Sequence, residues 1–423
     1  MTRVLFYSHD PVGERMAGLG IRTFELARVL ADHAEVTIAH GGDESGVLDG
    51  LRTVAVKPHA AKALRPLIAR ADVVVTHPVW SPAGRWLRRS GKRIVHDLYD
   101  PETLETLELS AGSGRLARRA LTDTTLDRLH DALRTGHHFM CAGERQRDLW
   151  LGAMLGLRLI GADLYDRDPS LRSVIDLVPF GVPVQPPVPT GPGPRAIVGD
   201  EAEIVLWNGG IWNWLDAETA IRAVAALAER RPRVQLVFMG SSDQVAARRA
   251  TERAHAVAKE LRAPVHFHAG WIPYAERAAW LTQADCAIST QREHLETRFA
   301  FRTRILDCFW AGLPVVCTAG DDLADRVERQ GLGEAIAPGD ADAAAAAIER
   351  VLDRGRAAYA EPLRQAAAAF AWPVAAQPLV QWVTSTEPLT RPGDTPGRLK
   401  PSAAHRARTA AYELAGRPFL ARR

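Results

Sequence analysis

Val178-Pro179-Phe180-Gly181-Val182-Pro183-Val184-Gln185-Pro186-Pro187-Val188-Pro189-Thr190-Gly191-Pro192-Gly193-Pro194 carries seven prolines and three glycines in seventeen residues. Proline fixes φ and removes a backbone donor, so this stretch is neither a helix nor a central strand. It reads as a semi-extended interdomain linker, and it divides the chain into two nearly equal halves.

Both halves follow one grammar. Short β-branched runs alternate with Ala-, Leu- and Arg-rich helical stretches, the pattern of βα units and parallel sheets. In the first half the predicted strands are Val4–Ser8, Glu35–Ala39, Asp72–Thr76, Arg93–His96 and Phe139–Ala142. In the second they are Ile204–Trp207, Val234–Met239, Val265–His268, Cys286–Ser289, Pro314–Cys317 and Ala335–Ala337. Several are apolar throughout, as strands covered on both faces by helices should be. Ile21–Ala31, Glu218–Arg230, Tyr274–Ala284 and Ala341–Arg354 read as helices. The expected organisation is an N-terminal α/β domain over 1–183, a linker over 184–200 and a second α/β domain over 201–370. A segment over 371–385 then crosses back to the first domain, ahead of a basic tail over 386–423. Two such halves imply a cleft, with ligands at the C-terminal ends of the strands.

At 423 residues the chain suits two domains, and 47% hydrophobic with 24% charged residues excludes a wholly disordered or fibrous protein. No apolar run approaches the ~18–20 residues of a membrane span. The N-terminus turns polar after one short run, so no secretory signal is expected. Cys141, Cys286, Cys308 and Cys317 form no C-x-x-C pair and read as reduced, buried thiols of a cytoplasmic protein. The net charge of +3 is uneven: residues 391–423 hold eight Arg/Lys and two Asp/Glu, leaving the body near neutral. A nucleic-acid-binding body, which needs a basic folded face, is not expected. The segment Ser402–Gly416 reads as a short basic helix or a solvated tail.

Four stretches carry chemistry. Ala17-Gly18-Leu19-Gly20-Ile21-Arg22-Thr23 opens a helix after the first strand, where glycines let a ligand approach the backbone. Residue 23 is Thr, and Ala39-His40-Gly41-Gly42 offers no ribose-binding acid after the second strand, so a dinucleotide site is not expected. The glycines equally fit a tight turn. Val95-His96-Asp97-Leu98-Tyr99-Asp100-Pro101 gathers an imidazole, a phenol and two carboxylates at a strand end, suited to acid–base work. Alternatively, Asp97 or Asp100 caps the following helix. In Trp207-Asn208-Gly209-Gly210-Ile211-Trp212-Asn213-Trp214 a strand runs into a Gly-Gly turn with free backbone donors. Its tryptophans either wall a flat ligand or pack between domains. Finally, Glu293–Val316 places Thr303 and Asp307 on one helix face, with Arg298, Arg302 and Arg304 among carboxylates. That set suits a diphosphate and sugar hydroxyls, or else a salt-bridge ladder.

Two patterns are set aside. Asp340-Ala341-Asp342 follows Pro338-Gly339 and precedes an alanine run, so it reads as a helix N-cap rather than a metal site. His266-Phe267-His268 alternates along a strand without further ligands, so zinc is not expected.

Over about residues 3–383 the chain resembles the group 1 (family 4) glycosyltransferases of the GT-B fold. The resemblance rests on Gly18–Gly20 with Glu25-Leu26-Ala27, on Gly270-Trp271-Ile272-Pro273, on Leu306-Asp307-Cys308-Phe309-Trp310-Ala311-Gly312-Leu313-Pro314-Val315, and on Pro338-Gly339-Asp340. The family's pair of glutamates eight apart becomes Phe299 and Asp307 by counting, with Glu296 as the substitute for the first. The family's Arg and Lys after the first strand of the second domain are absent from Gly209–Asn213, and Arg298, Arg302 and Arg304 are the candidates to replace them.

The resemblance implies two Rossmann-like domains with parallel sheets facing across a cleft. It implies transfer of a sugar from a nucleotide-diphosphate sugar to a hydroxyl acceptor, with retained anomeric configuration, no metal and no resident cofactor. Nucleotide contacts fall on Gly240, Trp271 and Ile272 and the ribose on Asp307. The diphosphate falls on Gly209, Gly210, Arg302, Thr303 and Arg304, and the sugar hydroxyls on Glu296. The acceptor side falls on Gly18, Gly20 and Arg22, with His96 and Asp97 as further catalytic candidates. A lipid-linked acceptor follows from the same likeness, and the charge of the basic tail fits either peripheral contact with the inner face of a membrane or a solubilising extension with no partner. The alternatives are a sugar-nucleotide 2-epimerase-like isomerase and an inactive nucleotide-sugar-binding subunit.

Overall fold

The computed structural model describes residues 1–385 apart from 15, 58–60, 80, 241–244 and 271, together with Ala407. The tail segment Ser402–Gly416 therefore lies, Ala407 aside, outside the described residues. The chain forms two compact units: residues 1–181 with the segment from Trp372 onward, and residues 182–371.

The first unit is built on eight strands, β1 (Arg3–Ser8), β2 (Glu35–His40), β3 (Gly46–Leu48), β4 (Leu51–Ala55), β5 (Val73–Thr76), β6 (Arg93–Asp97), β7 (His138–Cys141) and β8 (Ile175–Leu177). Their order is β3-β4-β2-β1-β5-β6-β7-β8, parallel except for the antiparallel β3–β4 pair. The central strands are buried along nearly their whole length, and β5 along all of it. Each Val or Ile so buried contributes about 1.5–3 kcal/mol.

The second unit holds β9 (Glu203–Trp207), β10 (Val234–Phe238), β11 (Val265–Phe267), β12 (Cys286–Ser289), β13 (Val315–Thr318) and β14 (Gly333–Ile336). The order is β11-β10-β9-β12-β13-β14, parallel throughout. Both sheets thus have the doubly wound order of a Rossmann-like fold, with a reversal of winding at β1/β5 and at β9/β12. Helix starts are fixed by side chains: Asp216, Asp321 and Asp340 each accept backbone N–H bonds in the first turn that follows. Asp340 is therefore an N-cap, its Oδ1 2.8 Å from the Ala343 N–H.

The structure adds three strands to those read from sequence: β3, β4 and β8. The stretch Tyr274–Ala284 divides into a 3₁₀ turn, Tyr274–Glu276, and a helix, Arg277–Gln283.

The first unit is completed by the end of the described chain. Trp372 is fully buried against Phe180, with ring centroids 4.9 Å apart. The Arg93 guanidinium donates to the carbonyls of Trp382, Val383 and Ser385 and stacks 4.4 Å over the Trp382 ring.

Candidate active site: donor and acceptor edges

In the second unit the winding reverses between β9 and β12, where open α/β sheets bind ligands beyond the strand ends. β9 runs into Asn208-Gly209-Gly210, with Gly209 at φ +120°, a conformation that favours glycine. Trp207 Nε1 donates to the Gly210 carbonyl at 3.3 Å, and Arg304 Nη2 donates to the same oxygen at 3.2 Å. Asn208 Nδ2 returns a bond to the Arg304 carbonyl at 2.7 Å. The guanidinium lies 5.3 Å over the Trp207 ring. Arg304 Nη1 is buried with no hydrogen-bond partner, and among the described residues no carboxylate pairs with this side chain. Desolvation, then the charge of Arg302, brings its pKa down to about 10, so at neutral pH it remains a cation beneath the turn.

Arg302 is placed differently from expectation. Its Nη2 donates to Glu296 Oε2 at 2.8 Å and to Thr297 Oγ1 at 3.4 Å, while its Nε stands 4.0 Å from Asp321 Oδ2. Glu296 and Arg302 are both buried. Arg302, expected to hold diphosphate, and Glu296, expected to meet sugar hydroxyls, are thus paired with each other. A desolvated guanidinium takes the nearest carboxylates, and the two groups are spent on each other. Arg298 is exposed. Thr303 opens the Thr303–Ala311 helix directly after Arg302, half-buried.

One turn on, Asp307 accepts from Arg277 Nε at 3.2 Å and keeps 29% of its side chain exposed. Arg277 is held between the rings of Tyr274, at 3.5 Å, and Trp310, at 4.5 Å. Gly240 and Gly270 adjoin each other after β10 and β11: a Cβ on Gly240 would stand 3.5 Å from the Gly270 carbonyl. Ile272 is half-buried, and Trp271 lies outside the described residues. Trp212 and Trp214 stack on each other, centroids 5.3 Å apart and 9° from parallel. Their loop is pinned to the end of β12 by the Leu215–Gln291 bridge and a 3.0 Å bond from the Asp216 N–H to the Thr290 carbonyl.

In the first unit, Arg22, His96 and Asp97, read from sequence as acceptor-side or catalytic candidates, are buried in the core. Arg22 Nε and Nη2 donate to the two Asp97 oxygens at 2.6 and 3.0 Å, and its remaining donors go to the carbonyls of Val178 and Pro179. His96 Nε2 bonds Thr135 Oγ1 at 3.1 Å, and burial lowers its pKa to about 3. Asp97 and Asp100 do not cap the next helix; its N-cap is Pro101 without a side-chain bond. Burial, with Glu105, Asp97 and Glu102 around it, raises the Asp100 pKa well above the usual carboxylate range.

The accessible polar pair at this edge is one that sequence reasoning missed. His9 and Asp10 follow β1, with His9 Nε2 3.6 Å from Asp10 Oδ1 and side chains 43% and 31% exposed. His77, after β5, meets His9 edge-on at 6.1 Å. Two glycines hold this loop. A Cβ on Gly41 would stand 1.9 Å from the His9 carbonyl, and one on Gly20 would stand 2.2 Å from that of Pro11. Gly20 therefore admits close approach of the Pro11 backbone, while Gly18 is exposed at the helix start. Crowding lowers the His9 pKa; Asp10 opposes the shift, His77 adds to it, Glu102 opposes it and Arg128 adds to it.

Among the described residues no cluster of three His, Cys, Asp or Glu is arranged to hold a metal ion. His266 instead bonds Gln235 Oε1 at 3.0 Å. All four cysteines are buried free thiols. No helix among the described residues is long and apolar enough to cross a membrane.

Residues 202–354 match the family described as "Glycosyl transferases group 1". The second unit is thus similar to the group 1 glycosyltransferases over most of its length. Solved structures extend the likeness over nearly the whole glycosyltransferase as a shared GT-B fold. HepE of Anabaena, solved with UDP and glucose, is 13% identical, with TM-score 0.66 over 90% of this chain and 99% of its own. WaaG, a glycosyltransferase involved in lipopolysaccharide biosynthesis, is 19% identical, with TM-score 0.61 over 91% of this chain and 100% of its own. Sucrose-phosphate synthase of Thermosynechococcus elongatus is 17% identical, with TM-score 0.62 over 90% of this chain and 98% of its own. No curated protein sequence matches the glycosyltransferase.

Proposed function

We propose that this glycosyltransferase moves a sugar from a nucleotide-diphosphate donor held by the second unit to an acceptor hydroxyl at the His9–Asp10 edge of the first. The observation that carries the reading is Arg304. It is a desolvated cation without a carboxylate partner, set under a glycine turn at the reversal of the second sheet. Burying a charge is costly unless an opposite charge meets it, and a diphosphate supplies that charge together with several acceptor oxygens. Thr303 and the first-turn N–H groups of its helix add donors to the same place. Asp307, with part of its carboxylate exposed, is suited to ribose hydroxyls. As the leaving diphosphate gains charge, a fixed guanidinium stabilises it without reorganisation. In this reading the configuration at the anomeric carbon is retained, no metal and no resident cofactor are required, and the enzyme works in the cytoplasm.

A thermal-shift panel of UDP-, GDP-, ADP- and dTDP-sugars tests the donor class, because a ligand that binds only the folded state raises apparent stability. One base should stand out, and its diphosphate alone should bind. No shift with any of the four would overturn the reading. NMR of the product then reports the anomer, and assays in EDTA report the metal requirement. Epimerised donor formed without acceptor would transfer the assignment to an isomerase.

A further inference from the structure

We propose that Glu296, Arg302 and Asp321 form a positioning cluster that fixes Arg304 against the Gly209–Gly210 turn, and that the charge on Asp321 sets how strongly that turn binds an anion. The proposal rests on the reading of this turn as the diphosphate site.

Three elements meet at one guanidinium. Arg302 is the residue immediately before the Thr303–Ala311 helix, so its side chain anchors the turn that carries Thr303 and Arg304. Glu296 comes from the Leu295–Phe299 helix, and Asp321 from the connection after β13. Asp321 Oδ1 is fixed by the N–H groups of Leu323 and Ala324 at 2.9 and 2.8 Å. Its Oδ2 has no hydrogen-bond partner, and neither has Glu296 Oε1 or Arg302 Nε, although all three atoms are buried. One guanidinium thus serves two buried carboxylates and satisfies only the first by a hydrogen bond.

With both carboxylates ionised, the Glu296–Arg302–Asp321 set has a net charge of −1; with Asp321 protonated it is neutral. Arg302 in turn lies close enough to Arg304 for the two charges to interact. An anion at the Gly209–Gly210 turn therefore meets a net positive surrounding only when Asp321 is neutral. Burial raises the Asp321 pKa to about 6, against the opposing pull of Arg302 and the two N–H groups and with a smaller push from Asp322. The other titratable groups set against these residues are His294, whose Nδ1 stands 3.6 Å from Glu296 Oε2 and is common to wild type and variant, and Cys317 on β13, whose thiol burial keeps protonated. The change of charge on Asp321 therefore falls in an accessible pH range.

The test uses the full chain and inorganic pyrophosphate as probe, with calorimetric affinities from pH 5 to 8 for wild type and Asp321→Asn. Asparagine keeps the Oδ1 acceptor of the N-cap and removes the charge. Pyrophosphate titrates identically in both experiments, so the ratio of the two affinities is the readout. The ratio should be near unity at pH 5 and rise to about tenfold in favour of the variant by pH 7.5, the scale of one unit charge acting through a partly buried path. A ratio constant across the range in folded protein overturns the proposal while leaving the diphosphate site in place. Absence of pyrophosphate binding by wild type at every pH overturns the site itself and the proposal with it. Should the Asn variant not fold, Asp321→Ser, also an N-cap without charge, gives the same comparison.

Discussion

Arg304 rests its guanidinium on the carbonyl of Gly210 at 3.2 Å, from a helix 94 residues further along the chain. The turn after β9 carries no basic residue of its own from Asn208 to Asn213 and is served by a side chain arriving from elsewhere in the same unit. In the proposed reading, that relationship makes Arg304 the residue on which donor binding depends.

Arg304→Met should weaken binding of the nucleotide-sugar, and of its nucleoside diphosphate, by about ten- to a hundredfold. This is the scale of ~1.5–3 kcal/mol for a hydrogen bond to a charged group. Folding stability should not fall with it, because the variant removes a buried cation that lacks a counter-ion. Calorimetric titration with the preferred nucleotide decides; unchanged affinity removes Arg304 from the site.

His9→Ala should leave nucleotide binding unchanged and lower transfer to the acceptor about three- to tenfold, the effect of losing one or two neutral hydrogen bonds. Initial rates measured over a range of acceptor concentrations separate this outcome from a loss of donor binding. Wild-type acceptor kinetics in the variant would place the acceptor elsewhere.

Asp97→Ala should cost about 3–5 kcal/mol of stability, because it strands the Arg22 guanidinium without its buried partner. The double variant Arg22→Met, Asp97→Leu should recover a large part of that loss. Denaturant unfolding reads both, and a single-variant cost below ~1 kcal/mol would contradict the buried pair.

The pH dependence of stability should carry the Asp321 signature. Its folded pKa lies at about 6, above the ordinary 3.8, so the folded chain holds this proton more tightly than the unfolded chain does. Its contribution is therefore fully present below pH ~4 and is lost as the pH rises through about 6. Relative to Asp321→Asn, wild type should lose about 3 kcal/mol over that interval, by the conversion of ~1.4 kcal/mol per pKa unit. Parallel curves for the two proteins would show that Asp321 does not titrate there.

Removal of residues 391–423 should leave donor turnover intact and reduce co-sedimentation with anionic vesicles, since eight of the chain's basic residues are concentrated there. Each basic residue near such a surface contributes about 1 kcal/mol. Equal pelleting of full-length and truncated protein at low salt would exclude a membrane role for the tail.

The central strands were legible because a parallel sheet buried on both faces is apolar along nearly its whole length, as in Val73–Thr76 and Cys286–Ser289, each with one polar residue at its end. The β3–β4 hairpin was not, although Asp49-Gly50 is a strong two-residue turn signal, because β3 is only three residues long and largely exposed, and β4 is short. At the donor edge, the Gly209–Gly210 turn and the arginine group stood out in the sequence. Which arginine faces the turn depends on long-range pairing, and Arg302 is diverted by Glu296 and Asp321. At the acceptor edge the density of polar residues in His96–Asp100 was misleading. Arg22 reaches Asp97 from 75 positions away and draws it into the core, while His9 and Asp10 stay at the surface. A lone His-Asp pair after a first strand carries no spacing signal that would have singled it out.

The burial of Trp372 beside Phe180 and the hold of Arg93 on Trp382, Val383 and Ser385 also bear on biogenesis. Translation runs from the N-terminus, and domains ordinarily acquire structure in that direction as they leave the ribosome. Here residues 182–371 contain all of their own sheet and can mature as soon as they emerge. The unit made first must wait, with the place of Trp372 unfilled and Arg93 unsatisfied, until the segment from Trp372 to Ser385 arrives. A premature stop shortly before Trp372 would thus spare the younger half of the polypeptide and leave the older half unfinished.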